Sequence, residues 1–160
     1  GRHLGGLKDA HSTEFNEATS CPVIYLIEEW IDRESRVQKR DKLSDKGATM
    51  RLGAYPCKLK SGSHAFKAYN QDLIHERHRH RYEFNMTFRK QLEGCGMSVT
   101  GISPDGQFVE IIEFKNHPWF LACQFHPEFK SKPFSAHPLF RDFIKASLKR
   151  RQERQKCKKK

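Results

Sequence analysis

The sequence predicts a mixed α/β domain with several strands and few helices, an incomplete version of a doubly wound sheet. Three observations carry this expectation. Dense apolar runs rich in β-branched and aromatic residues, VIYLI, FVEIIEF and WFLACQF, alternate with polar stretches. A Ser-Pro-Asp-Gly cluster at 103–106 sits between two of the strand-like segments, where Pro and Gly supply the dihedrals of a turn. One clear helical stripe closes the chain, whereas helical material at its front is scarce.

In chain order, 22–30 (PVIYLIEEW) reads as a strand. The charged segment 32–46 lacks a period and reads as a loop or a short irregular pairing. Residues 48–52 (ATMRL) form a short strand bracketed by Gly47 and Gly53, and 57–62 a further strand with its turn. Met86, Phe88 and Leu92 place a helix over 85–93, stopped by Gly94 and Gly96. Segments 97–102 and 107–114 form a hairpin around the 103–106 turn. His117-Pro118 breaks the run, and 119–125 (WFLACQF) is apolar enough for a strand buried on both faces. The last element is a helix over 138–151. Pro138 suits its first position, and Leu139, Phe140, Phe143, Ile144 and Leu148 make its apolar stripe.

The 160 residues amount to one domain, read as 1–148 with a basic, disordered tail at 149–160. The net charge of +11 gathers largely in that tail. No aromatics interleave there to stack on bases, so a solvated end is favoured over a nucleic-acid surface. No window reaches the roughly 18 apolar residues of a membrane span, and the first residues lack the apolar core of a secretory signal. A cytoplasmic protein is expected. Five cysteines, an odd number without a CxxC pair, point to reduced thiols.

Four stretches carry candidate chemistry. In ACQFHPEF, His126 and Glu128 flank Pro127 after a buried-looking strand. That is how a chain presents a general base and the carboxylate that orients it. In ERHRHRYE, an extended chain puts Arg77, Arg79 and Arg81 on one face and His78 and His80 on the other. Guanidinium forks suit carboxylate or phosphate, so anion binding ranks above a solvated basic strand. Metal ranks last, because no cysteine or carboxylate set completes a site. In HSTEF, Glu14 is either a surface carboxylate or an acceptor for a substrate amino group. GATMRLG lacks the order of a phosphate loop and reads alone as a structural strand.

Taken together and in this order, HSTEF, SDKGATMRLGA, ERHRHRYE, VEIIE, NHPWF and ACQFHPEF resemble the C-terminal half of a class I glutamine amidotransferase domain. More narrowly they resemble that of the CTP synthase family. The resemblance implies the C-terminal part of a flavodoxin-like sheet with helices. It implies His126 as catalytic base and Glu128 as its orienting acid. It also implies Arg81 as the holder of the L-glutamine α-carboxylate and Glu14 as the contact to its amino group. The family aminates UTP to CTP with ATP and Mg2+, under allosteric activation by GTP. Ammonia passes from the amidotransferase domain to a synthetase domain of the same polypeptide, and the family assembles as homotetramers. The basic stretch 36–51 is a candidate contributor to the GTP site.

The family's nucleophilic cysteine lies in a Gly-x-Cys-Leu-Gly elbow upstream of HSTEF, which these 160 residues do not contain. Cys95, in Gly94-Cys95-Gly96, follows a helix instead of preceding one. Cys123 reads as a core residue. The chain alone is therefore expected to be inactive, to need no cofactor, and to expose strand edges that make it poorly soluble. The competing readings are another class I amidotransferase, such as one feeding GMP synthesis or a γ-glutamyl hydrolase, a basic nucleic-acid-binding module, and a non-catalytic interaction remnant.

Overall fold

A computed structural model describes residues 1–26, 29–31, 37–39 and 50–157. Most of the expected loop at 32–46, the start of the expected strand at 48–52, most of the basic stretch 36–51 and the last three tail residues lie outside these. The elements run in the order β1 (Ala10–Ser12), β2 (Cys21–Leu26), β3 (Glu29–Ile31), β4 (Val37–Lys39), β5 (Arg51–Leu59), α1 (His64–Tyr69), β6 (Leu73–His80), β7 (Tyr82–Phe84), α2 (Arg89–Gly94), β8 (Met97–Ile102), β9 (Val109–Phe114), β10 (Leu121–Cys123) and α3 (Pro138–Cys157). Short 3-10 turns cover Met86–Phe88 and Pro127–Lys130.

The strands form a mixed α/β arrangement of three sheets. One has three strands in the order β1-β2-β7, one has five in the order β10-β9-β8-β5-β6, and β3 pairs β4. Among the described strands only β1 and β2 run parallel. The 97–114 hairpin forms as expected, closed by Gly106 at φ 79° with its amide donating to Ser103 O.

Several expectations change. The two short strands around Gly53 are one strand, β5, because Gly53 adopts φ 97° and lets the ladder with β6 continue past it. Pro56 is tolerated because at that position β5 is paired on the β6 side alone. The helix expected over 85–93 divides into the turn at Met86–Phe88 and the short α2. The helix α1 was not expected at all. Ser63 Oγ accepts from Phe66 N, Asn70 closes the helix at φ 53°, and Glu113 of β9 accepts from the amides of His64 and Ala65. A buried carboxylate from a distant strand thus completes a six-residue helix.

Strand β10 is shorter than 119–125 and, among the described strands, is an edge that pairs with β9 alone. Its Ala122 is exposed, so the run is not buried on both faces. Helix α3 continues to Cys157, so 149–157 is helical where a disordered tail was read. Of its apolar stripe only Leu139 is buried. Phe140, Phe143, Ile144 and Leu148 are exposed.

Two apolar clusters hold the elements together. The first joins Cys57 and Leu59 of β5, Ala65 and Ala68 of α1, Ile74 of β6, Ile111 of β9, Phe125 and Leu139. The second joins Phe84 of β7, Leu92 of α2, Met97 and Val99 of β8, and Val109, so it packs the small sheet against the large one.

Candidate active site

Strand β6 shows the alternation read from ERHRHRYE. Ile74, Glu76 and His78 are buried, His75, Arg77 and Arg79 are exposed, and His80 is half-buried. The chain then leaves the five-stranded sheet at His80 and enters the three-stranded sheet at Tyr82. Arg81, half-buried, is the corner between them.

His126 begins the turn after β10, and the turn is pinned to β6. His126 N donates to Arg77 O at 2.8 Å. Four residues on, Lys130 Nζ donates to His75 O at 2.7 Å and to Glu76 Oε1 at 3.1 Å. Glu76 also meets His137 Nε2 at 3.2 Å and Tyr69 OH at 3.0 Å. Burial alone would raise its carboxyl, but these donors hold it below the usual range. Within the turn, His126 Nδ1 lies 2.6 Å from Glu128 Oε1, and the imidazole stacks on Phe129 at 4.9 Å. Pro127 keeps the pair close, and the bond to His126 lowers the Glu128 carboxyl. The two side chains stay 37 % and 56 % exposed, so a reactant can approach the imidazole. Beside the turn is an open depression of about 530 Å3 lined by Leu52, Arg77, His78, Arg79 and Phe129. A larger groove, about 1110 Å3 between α3 and the His117–Trp119 loop, shares no residue with this turn, and the chemistry of the site gives it no part.

Glu14 is exposed in the turn after β1. Thr13 N donates to Ile24 O, and Leu26 N donates to Thr13 Oγ1. Leu26 in turn pairs with Tyr82, the residue after Arg81. The register of the small sheet therefore brings Glu14 and Arg81 to one end.

Sequence reasoning missed a buried polar network between the sheets. Arg51 Nη1 donates to Glu83 Oε1 and Nη2 to Glu110 Oε1, both at 2.7 Å, with all three side chains almost fully buried. Glu83 Oε2 accepts from Gln124 Nε2 at 2.5 Å. The Arg51 guanidinium also lies 4.6 Å over Tyr55 and 4.8 Å over Phe108. Each member stood inside a quoted motif, and the available signal was a charged or amide residue at an inward-facing strand position.

Next to it is a histidine relay. His80 Nδ1 donates to Tyr82 O at 3.1 Å, which leaves its Nε2 to accept from His78 Nδ1 at 2.8 Å. Burial and the nearby Arg51 charge push His78 down to about 2 and His80 to about 4, so both are neutral. His78 Nε2 then faces Glu110 Oε2 at 3.6 Å, and neither atom has another partner. Burial raises the Glu110 carboxyl against the opposing pull of the Arg51 charge.

The thiols divide clearly. Cys57 is fully buried and burial drives its thiol far up. Cys123 donates to Phe125 O at 3.5 Å, and burial pushes it up to about 12. Both stay protonated at neutral pH and are poor nucleophiles. Cys95 is exposed at the end of α2.

Comparison with known proteins agrees with this architecture. The chain is 56 % identical over 148 residues to a CTP synthase of Desulfotalea psychrophila, covering 92 % of the chain and 27 % of that protein. It is 58 % identical over 149 residues to a CTP synthase of Desulfovibrio desulfuricans, with the same coverage. It thus spans about a quarter of the length of these curated relatives. Among solved structures it superposes with TM-score 0.78 and 31 % identity on the glutaminase domain of the Trypanosoma brucei CTPS with bound acivicin, covering 92 % of this chain and 54 % of that one. The family model for class I glutamine amidotransferases matches residues 8–146, nearly the whole described fold, and the chain belongs to that family.

Proposed function

We propose that this chain is the C-terminal part of the amidotransferase domain of a CTP synthase, where it supplies the base, its orienting acid and the substrate-binding residues for glutamine hydrolysis. The observation that carries the reading is its 54–58 % identity, over 91–93 % of the chain, to proteins named CTP synthase. The 2.6 Å contact of His126 Nδ1 with Glu128 Oε1 supports the base chemistry.

In this reading Arg81 holds the glutamine α-carboxylate with its guanidinium fork, and Glu14 accepts from the α-ammonium. A cysteine thiol from an upstream elbow gives its proton to His126 and attacks the side-chain amide carbon. The imidazolium returns the proton to the departing nitrogen, ammonia leaves, and water then cleaves the thioester to give glutamate. Glu128 keeps Nδ1 protonated, so that Nε2 faces the reaction as the base. The ammonia serves a synthetase domain that phosphorylates UTP with ATP and Mg2+, with GTP as activator. The protein works in the cytoplasm, and no helix among the described residues is long and apolar enough to cross a membrane.

The 160 residues alone should release no glutamate, because they contain no Gly-x-Cys-Leu-Gly elbow and the thiols of Cys57 and Cys123 are held protonated by burial. The test is the coding sequence immediately upstream of Gly1, followed by assay of the full-length product. An in-frame Gly-x-Cys-Leu-Gly elbow, with CTP formed from both glutamine and ammonia, supports the reading. A full-length product that forms no CTP from ammonia overturns it.

A further inference from the structure

The candidate site is divided between two sheets. Arg81 is the corner where the chain enters the three-stranded sheet and Glu14 lies in the turn after β1 at the same end of that sheet, whereas His126 and Glu128 belong to a turn on the five-stranded one. Something must set the distance between the group that holds substrate and the group that moves its proton. Misplacement by about 1 Å costs on the order of a hundredfold in rate.

The bond from His126 N to Arg77 O ties the turn to β6, and Glu83 and Gln124 occupy two positions from which the small sheet can be held against that turn. Glu83 follows Arg81 by two residues in β7, and Gln124 precedes His126 by two. Glu83 is 1 % exposed. Its carboxylate leaves the small sheet and reaches Arg51 of β5 with one oxygen and Gln124 with the other. Gln124 is fixed in turn. Its Nε2 also donates to Val109 O at 2.7 Å, which uses both amide hydrogens, and its backbone N donates to Glu110 O at 3.0 Å. Only one orientation of the amide satisfies all of these bonds.

For stability alone, such a buried polar bridge is a poor choice, since apolar replacements of similar volume are often neutral or better. What it supplies over an apolar contact is direction. A planar carboxylate between a guanidinium and an amide defines both distance and angle. We propose that Glu83 and Gln124 are positioning residues for glutamine hydrolysis, a clasp that sets the spacing between Arg81 and His126. The proposal rests on the function assigned above.

The test is made in the full-length protein, by following CTP formed from glutamine, CTP formed from ammonia, and glutamate release. Gln124→Leu keeps volume and leaves the Glu83–Arg51 pair in place. Its kcat/KM for glutamine is expected to fall at least about tenfold, while ammonia-dependent synthesis stays within about twofold of wild type. Glu83→Gln should behave alike, and the double variant should lose no more than the worse single one. Gln124→Glu places a second carboxylate against Glu83. Its loss should shrink toward acid pH, where one of the two is protonated and donates to the other. Unchanged glutamine kinetics in Gln124→Leu and Glu83→Gln, or equal losses with glutamine and ammonia, would overturn the clasp. If wild type makes no CTP from ammonia, the synthase reading fails instead, and glutamate release still reads the clasp.

Discussion

His126 Nδ1 lies 2.6 Å from Glu128 Oε1, with only Pro127 between the two residues in the chain. Glu128 is more than half exposed, so the bond holds by local geometry and not by enclosure. Replacing Glu128 by Gln removes the ionised acceptor and frees the imidazole to change tautomer. In the full-length protein, glutamine-dependent CTP formation should fall by about a hundredfold, with ammonia-dependent formation retained. Parallel loss of both rates would exclude the pair from glutamine chemistry.

Arg81 and Glu14 are expected to act on binding. Arg81→Lys keeps the charge and loses the fork, so the KM for glutamine should rise by about tenfold or more. Glu14→Gln should raise the same constant, with kcat changed less. Steady-state kinetics on both nitrogen sources decides. A fall in kcat with KM unmoved would relocate both residues from substrate binding to the chemical step.

The buried network gives an unusual dependence of stability on pH. The unfolded histidines take up protons as pH falls through 6.5, whereas His78 and His80 resist until about 2 and 4. They therefore lower stability progressively below pH 6.5. Glu83 acts in the opposite sense. Burial raises it from 4.5 to about 7, so the folded state binds its proton first and gains stability as pH falls through that window. Glu83→Gln removes the opposing contribution. Between pH 7 and 5 the variant should lose about 2 kcal/mol more stability than wild type. Urea unfolding of the chain at low concentration measures this, and identical slopes would place the titration elsewhere.

Gly101 tests the packing of the hairpin on β5. A Cβ there would lie 2.7 Å from Ile111 Cγ1 and 2.8 Å from Cys57 Sγ, both in the first core cluster. Gly101→Ala should destabilise by about 1–3 kcal/mol. A midpoint equal to wild type in urea would show that β8 and β9 can separate freely.

The chain should also associate with itself. Strand β10 is an open edge with Ala122 exposed, and α3 presents Phe143, Ile144 and Leu148 to solvent. Ala122→Lys places a charge on the edge and should shift sedimentation toward the monomer. No change in the variant would assign the association to α3.

Much of this was legible from local pattern. The alternation in ERHRHRYE set which faces of β6 are buried, and the Ser-Pro-Asp-Gly turn placed the β8–β9 hairpin. Helix α1 was overlooked because it is only six residues long; its local cap, Ser63, was in the sequence, but the second acceptor at its start, Glu113, is nearly fifty residues away. Strand β5 was divided at Gly53 because a glycine reads as a break unless its dihedral is known. At the site, the motifs drew the eye to groups that water can reach, the exposed Glu128 and the half-buried His126 and Arg81. Arg51, Glu83 and Gln124 passed unnoticed, because pairing across two sheets leaves no trace in spacing along one chain.

The corner at Arg81 has a practical meaning for anyone dividing this protein into complementing halves. A cut between His80 and Tyr82 would sever the link that carries the chain directly from the large sheet to the small one, and it would leave Arg81, the proposed holder of glutamine, on a loose end. The 103–106 hairpin turn is the better site for a split or an inserted reporter. Pro104, Asp105 and Gly106 are exposed there, and the strands on either side carry their own ladder of hydrogen bonds.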